Sequence, residues 1–195
     1  MAGTDKNRYK NIILESARLF REKGYLATSI RDIGDALGIT SAALYYHFKN
    51  KEELLVEVML GALRNLHRSV TEAISAETDP AKQIQIAMRT HLRSSTDHQD
   101  FAIVLLQEVR HLSPKARLRV VEQRDAYEAI WTDLFAKGAQ ANLYKPDVDI
   151  RLLRLLTFGA INLVVTWYKP TGTYKPEQIA DALYKIAAEG VLHDH

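Results

Sequence analysis

Apolar residues recur at intervals of three and four along the whole chain, as in Ile13, Ala17 and Phe20, while runs that alternate apolar and polar residues are nearly absent. A chain so patterned can bury its apolar stripes only by packing helix on helix, which predicts an all-α fold. The punctuation between stripes divides the chain into about nine helices. The first is expected over Lys6 to Lys23, closed by Gly24 in the left-handed conformation. A second opens at Ser29, with Asp32 three residues on completing a capping box, and ends near Leu37. Gly38 makes the turn into a third short helix over Thr40 to Tyr46, and Asn50, with Glu53 three residues later, caps a long fourth helix over Lys51 to Ala76. Breaks at Ser94 to Gln99, Ser113 with Pro114, Leu143 to Pro146 and Pro170 to Pro176 delimit helices near 80–94, 99–110, 115–141, 147–168 and 176–192.

Composition narrows the possibilities. With 195 residues, 47% of them hydrophobic, the chain can bury a sizeable core. Without cysteine there is no disulfide framework, thiolate nucleophile or cysteine-based zinc site, and a reducing cytoplasm is the expected location. Met1 to Lys10 is polar and basic with no apolar stretch behind it, so no signal peptide is expected, and no apolar run of about 18 residues is expected to span a membrane. The formal net charge of +2 is unevenly placed: residues 1–51 hold nine Lys or Arg against five Asp or Glu, whereas residues 52–195 hold seventeen against nineteen. A basic end on a near-neutral body is the footprint of a nucleic-acid-binding segment, because neutralising phosphates supplies most non-specific affinity.

A motif lies beneath that charge. Two short helices flank Gly38, with Ile30, Ile33, Leu37, Ile39, Leu44 and Phe48 placed to pack them together, which is the pattern of a helix-turn-helix. The apolar set leaves Ser41, Ala42, Ala43, Tyr45, Tyr46 and His47 to face outward. Small residues at the start of the second helix allow close approach to a major groove, where an alanine methyl can touch a thymine methyl. The tyrosine hydroxyls and His47 can hydrogen-bond phosphate oxygens, which fixes register without reading sequence. Arg31 is the side chain best able to contact a guanine bidentately, and Lys51 adds charge beside a helix N-terminus.

The stretch from Ile13 to Leu55, with Leu19-Phe20, Gly24-Tyr25, Thr28-Ser29-Ile30-Arg31-Asp32-Ile33, Leu37-Gly38-Ile39, Leu44-Tyr45-Tyr46-His47-Phe48 and Asn50-Lys51, closely resembles the DNA-binding domain of the tetracycline-repressor (TetR) family. That resemblance implies a homodimeric repressor. It would have a three-helix DNA-binding domain over residues 1–52 and a helical effector-binding and dimerisation domain over residues 53–195. It also implies that the positions matching Thr28, Arg31, Ser41, Ala42, Ala43, Tyr45, Tyr46, His47 and Lys51 lie at or near the operator; Ser29, opening the second helix, joins them as a DNA-binding candidate. Gly34 departs from the family's usual alanine, and a mid-helix glycine costs about 1 kcal/mol against alanine, so the second helix is expected to be loosened.

The last two helices carry more apolar surface than one chain needs. Ile150, Leu152, Leu153, Leu155, Leu156, Phe158, Ile161, Leu163, Val164, Val165 and Trp167 surround the eighth, and Ile179, Leu183, Ile186, Ala187 and Val191 line the ninth, so a two-fold interface built from both is expected. Candidate pocket residues for a small effector are Phe101, Leu105, Glu108, Tyr127 and Trp131, with Asn162, Thr166 and Trp167. Trp167-Tyr168-Lys169-Pro170 with Gly172 resembles repressors of fatty-acid or steroid catabolism that answer to acyl-coenzyme A thioesters. On that resemblance Arg89, Arg93, Arg117 and Arg124 are candidates to meet the nucleotide phosphates, against the plainer reading of surface charges and intrahelical ion pairs. His91, His98, His111, His193 and His195 lack zinc-site spacing and are expected to be solvated or in the tail, with no metal. No cofactor is expected apart from the effector. The chief alternative is a multidrug sensor controlling an efflux pump, in which Glu108, Tyr127 and Trp131 would hold a cation. A small helical enzyme acting on an acyl thioester lacks a phosphate loop, a readable Ser, His and Asp arrangement and a metal set. An architectural DNA-binding protein without an effector would need a sealed core.

Overall fold

The computed structural model describes residues 2–191, which form nine α-helices and no strand. These are α1 (Ala2–Lys23), α2 (Ile30–Leu37), α3 (Ser41–His47), α4 (Lys51–Ile74), α5 (Pro80–Asp97), α6 (Gln99–Gln107), α7 (Pro114–Gln140), α8 (Ile150–Trp167) and α9 (Pro176–Val191), with a single 3-10 turn, Val109–His111, between α6 and α7. The predicted all-α architecture is found; His193, His195 and the expected end of the last helix at residue 192 lie outside the described residues.

The boundaries have local causes. Gly24 and Gly38 take φ of 81° and 65°, a region where a Cβ is strained. Ser29 and Asp32 form the reciprocal capping box on α2, the Thr40 hydroxyl accepts the Ala43 N–H on α3, and Asn50 Oδ1 accepts the Glu53 N–H at 2.8 Å on α4. Two expectations change. The polar stretch beginning at Ser94 does not break the helix, because Ser95 and Thr96 are buried and Thr96 returns its hydroxyl to the Leu92 carbonyl at 2.8 Å; α5 runs on to Asp97. Gly34 is a site of close approach. A Cβ there would stand 2.8 Å from the Ile39 carbonyl oxygen, while Ile39 donates its N–H to the Gly34 carbonyl at 2.9 Å. The glycine that lowers helix propensity lets the turn fold down onto α2.

The helices form two compact units, one from the N-terminus to Leu63 together with His98–Gln123, the other Arg64–Asp97 together with Arg124 onward. In the first, Ile12, Phe20, Ile33, Leu44, Leu55 and Met59 make a core completed by Val104 and Val120. In the second, Met88, Leu92, Trp131, Leu134, Ile161 and Ala180 are buried together, and Arg89 on α5 forks onto Asp181 on α9 at 2.5 and 2.7 Å. Helix α8, at mean hydropathy 1.4, is the one described helix long and apolar enough by composition alone to cross a membrane, a test that a core helix also meets. It carries Arg151 and Arg154, and its Ile161, Val164 and Val165 are packed inward as a core face.

Candidate functional site

Helix α3 is anchored by Leu44, with Phe48 just beyond its end, both sealed into the first core. On its outer side Ala42 is exposed, Ser41 and Ala43 are half-buried, and Tyr45 and Tyr46 stand 54% and 80% exposed. The two adjacent rings give this face an aromatic surface with hydroxyls able to hydrogen-bond. Arg31 lies on α2, exposed, with its Nε 3.6 Å from Asp35 in a surface pair weak enough to leave the guanidinium available. Ser29 is exposed at the start of α2, where its hydroxyl accepts the Asp32 N–H at 3.0 Å.

Three residues expected at the DNA are placed otherwise. Thr28 is 1% exposed, its hydroxyl 2.8 Å from the Gly24 carbonyl and 3.2 Å from that of Leu19, so its side chain closes the loop between α1 and α2. The His47 side chain is only 9% exposed: the rings of Tyr9, Tyr46 and Phe48 surround it, and Nε2 is 3.5 Å from Asp5 Oδ1. Lys51 turns its ammonium inward, 2.8 Å from the carbonyls of Tyr25 and Thr28, 3.4 Å from that of Leu26, and 4.3 Å from the centre of the Tyr25 ring. Its pKa is lowered by desolvation. Thr28 and Lys51 share a cause, the loop over residues 24–29, whose carbonyls at Gly24, Tyr25, Leu26 and Thr28 take these side chains as partners; His47 is covered instead by Tyr9 and its own helix end. Motif position alone does not reveal such demands.

The candidate pocket residues divide between the units. Phe101 and Leu105 pack onto the first core, and Glu108, 8% exposed, sits with Oε2 3.3 Å from His111 Nε2. Tyr127, Trp131 and Asn162 come together in the second unit, around a residue that the sequence reading missed. His91 is buried, its Nδ1 2.7 Å from the Tyr127 hydroxyl and its ring within 6 Å of those of Tyr127, Trp131 and Phe158. Burial pushes its pKa down to about 4, with the Asn162 side chain opposing the shift, so the ring is neutral at pH 7. The same burial pushes the Tyr127 hydroxyl up. The signal was legible in principle: Ile84, Ala87, Met88, His91, Leu92 and Ser95 make one buried stripe on α5.

Among the described residues, His91 Nε2, Trp131 Nε1, the Tyr144 hydroxyl and Arg154 Nη1 are buried with no hydrogen bond closed. Thr166 and Trp167 are corrections: Thr166 returns its hydroxyl to the Leu163 carbonyl at 2.7 Å, and both residues face outward from α8 instead of lining an interior. Of the arginines considered for phosphates, Arg89 holds Asp181, Arg93 lies within 3.9 Å of Asp97 and Glu177, and Arg124 is 3.5 Å from Glu128, while Arg117 is exposed.

Residues 12–58 match the family model described as bacterial regulatory proteins, tetR family, and residues 77–191 match the one described as tetracyclin repressor-like, C-terminal domain. The chain is 26% identical over 195 residues to the HTH-type transcriptional repressor KstR2 of Mycobacterium tuberculosis, a match spanning 100% of this chain and 98% of that one. Its fold is similar to that of PfmR, a TetR family transcriptional regulator from Thermus thermophilus, with a TM-score of 0.84, 34% identity, and coverage of 91% of this chain and 97% of that one. It is similar also to AibR in complex with isovaleryl coenzyme A and operator DNA, with a TM-score of 0.83, 27% identity, and coverage of 92% and 97%.

Proposed function

Since the chain belongs to the tetR family of bacterial regulatory proteins, we propose that it is a cytoplasmic repressor that holds a palindromic operator as a homodimer and releases it when a small lipophilic effector binds. The family consists of regulators and not of enzymes, which sets the thioester-enzyme reading aside. In functional terms residues 1–52 bind DNA, and residues 53–195 bind the effector and dimerise.

The observation that carries the DNA reading is the sealed inner face of α3 set against its exposed Tyr45 and Tyr46. Ala42 enters the groove, the two tyrosines hold phosphates, and Arg31, together with Ser29 and Ser41 at the helix starts, completes the contact. The homodimer reading rests on α8. Leu152, Leu155, Leu156, Leu163 and Trp167 are exposed along one side, with Gly159 and Ala160 between them, and Ile186 of α9 is 71% exposed. A stripe of that length buried against its own copy gives a two-fold interface.

For the effector, the reading is an acyl-coenzyme A thioester, bound where Tyr127, Trp131 and Asn162 gather around His91. AibR, similar along nearly its whole length, was solved with isovaleryl coenzyme A and operator DNA. The His91 cluster is uncharged, whereas a cationic drug calls for an acid; Glu108, the acid considered for that role, is paired with His111 in the other unit. The test is selection of operators from random duplexes followed by release with acyl-coenzyme A esters of graded chain length. Release by esters is the expected result. Release by a lipophilic cation alone would make the protein a multidrug sensor, and failure to enrich any duplex would remove the repressor reading. Light scattering should give about twice the chain mass at micromolar concentration.

A further inference from the structure

Resting on the effector reading above and deepening it, we infer that His91 Nε2 and Trp131 Nε1 are the donors that take the carbonyl oxygen of the acyl thioester, so that the protein recognises the ester itself and not merely a lipophilic chain. Tyr127 fixes which way the protons run. Its hydroxyl, kept protonated by burial, lies 2.7 Å from His91 Nδ1. His91 is neutral at pH 7, and a neutral imidazole holds a single proton. With the phenol donating to Nδ1, that proton sits on Nε2. An indole N–H can only donate. Two N–H groups are thus buried in one cluster, their rings 5.8 Å apart, and neither closes a hydrogen bond. Asn162, which opposes the fall in the His91 pKa that burial causes, closes no bond to Nε2.

Donors left dry are costly, and only a group that accepts can relieve them. A hydrocarbon chain brings no acceptor, and a lipophilic cation brings a charge or further donors. A thioester carbonyl brings two lone pairs and no charge to desolvate. The surround suits the rest of the acyl group. Phe158 meets the His91 ring at 5.8 Å and the Trp131 ring at 5.4 Å, which leaves the two donors in an aromatic setting. The same helices carry the apolar character onward: Met88, three residues before His91 on α5, and Phe135, four after Trp131 on α7, line a cavity of about 20 Å³ together with Leu153 and Thr157 of α8. An acyl chain whose carbonyl sits at the two donors has this apolar direction to follow.

The decisive measurement is calorimetric titration of the full chain with isovaleryl and octanoyl coenzyme A, each set against the S-alkyl thioether of the same length, in which a methylene replaces the carbonyl. At each chain length that binds, the ester should be held about thirtyfold more tightly than the thioether, the product of about fivefold from each donor. This comparison needs no variant. His91→Phe and Trp131→Phe should each cut the preference to about fivefold while leaving thioether affinity within about twofold, which also shows that the interior is intact. An ester that binds no better than its thioether overturns the inference and leaves the effector reading standing. A preference undiminished in both variants assigns the carbonyl to other donors and overturns it as well. Failure of every ester to bind removes the effector reading and this inference together.

Discussion

In the first unit Thr28 and Lys51 close onto carbonyls of the same loop, and Ser29 closes onto the helix it caps. In the second unit His91, Trp131 and Tyr144 are buried, more deeply than Ser29 or Lys51, yet each keeps a polar atom with no hydrogen bond closed. A buried network with every member satisfied specifies one shape, whereas open donors inside an apolar surround lower stability and favour whatever brings them a partner. The first arrangement suits helices that must meet DNA in a fixed geometry. The second suits an interior that admits a ligand.

Acid should break this comparison most strongly. The folded chain keeps His91 neutral down to about pH 4, while the unfolded chain takes up a proton near the ordinary histidine value of 6.5. Between those values the unfolded state binds more protons, so the contribution is complete above pH 6.5 and is lost as pH falls towards 4, about 3 kcal/mol in all. Unfolding free energies from urea titrations at pH 7 and 4.5 should differ accordingly, and the difference should shrink by about 2 kcal/mol in His91→Gln, since pH 4.5 stops short of the folded-state value. Next comes Thr28→Val, which keeps the shape but strands the Gly24 carbonyl; a loss of about 2 kcal/mol in urea unfolding is expected, and a neutral result would show that the first unit is not closed in the manner described. Ser29→Ala removes one half of a capping box and should cost about 1 kcal/mol, read as a lowered melting temperature. The smallest effect on stability belongs to Tyr45→Ala with Tyr46→Ala, within about 0.5 kcal/mol for each exposed ring. The same pair should weaken binding to all duplexes while leaving the slope of log affinity against log salt unchanged, because a neutral hydroxyl releases no counterion, so the two readouts separate reading surface from scaffold.

Much of the first unit was legible because its signals are local. Glycine at 24 and 38 sets positive φ, Ser29, Thr40 and Asn50 cap three helices, and the apolar set from Ile33 to Phe48 defines which face turns inward. The exposure of Tyr45 and Tyr46 follows from the same periodicity. His47, one residue further, does not, because its cover comes from Tyr9 on α1, thirty-eight positions away in sequence. The inward hydrogen bonds of Thr28 and Lys51 were missed for a related reason: a motif records that a position is used, and not which carbonyls its side chain satisfies. Gly34 reads as a weak point until the Ile39 carbonyl is seen 2.8 Å from where a Cβ would stand.

The sequence by itself determined the helices, their caps and turns, the sign of the N-terminal charge and the outward face of α3, since each depends on residues within a few positions of one another. Only the tertiary structure decided which polar side chains are free to meet a partner. Burial is a property of neighbours that the chain brings from far along its length, and it turned Lys51 from a surface cation into an internal brace and His91 from a solvated ring into the centre of a buried cluster.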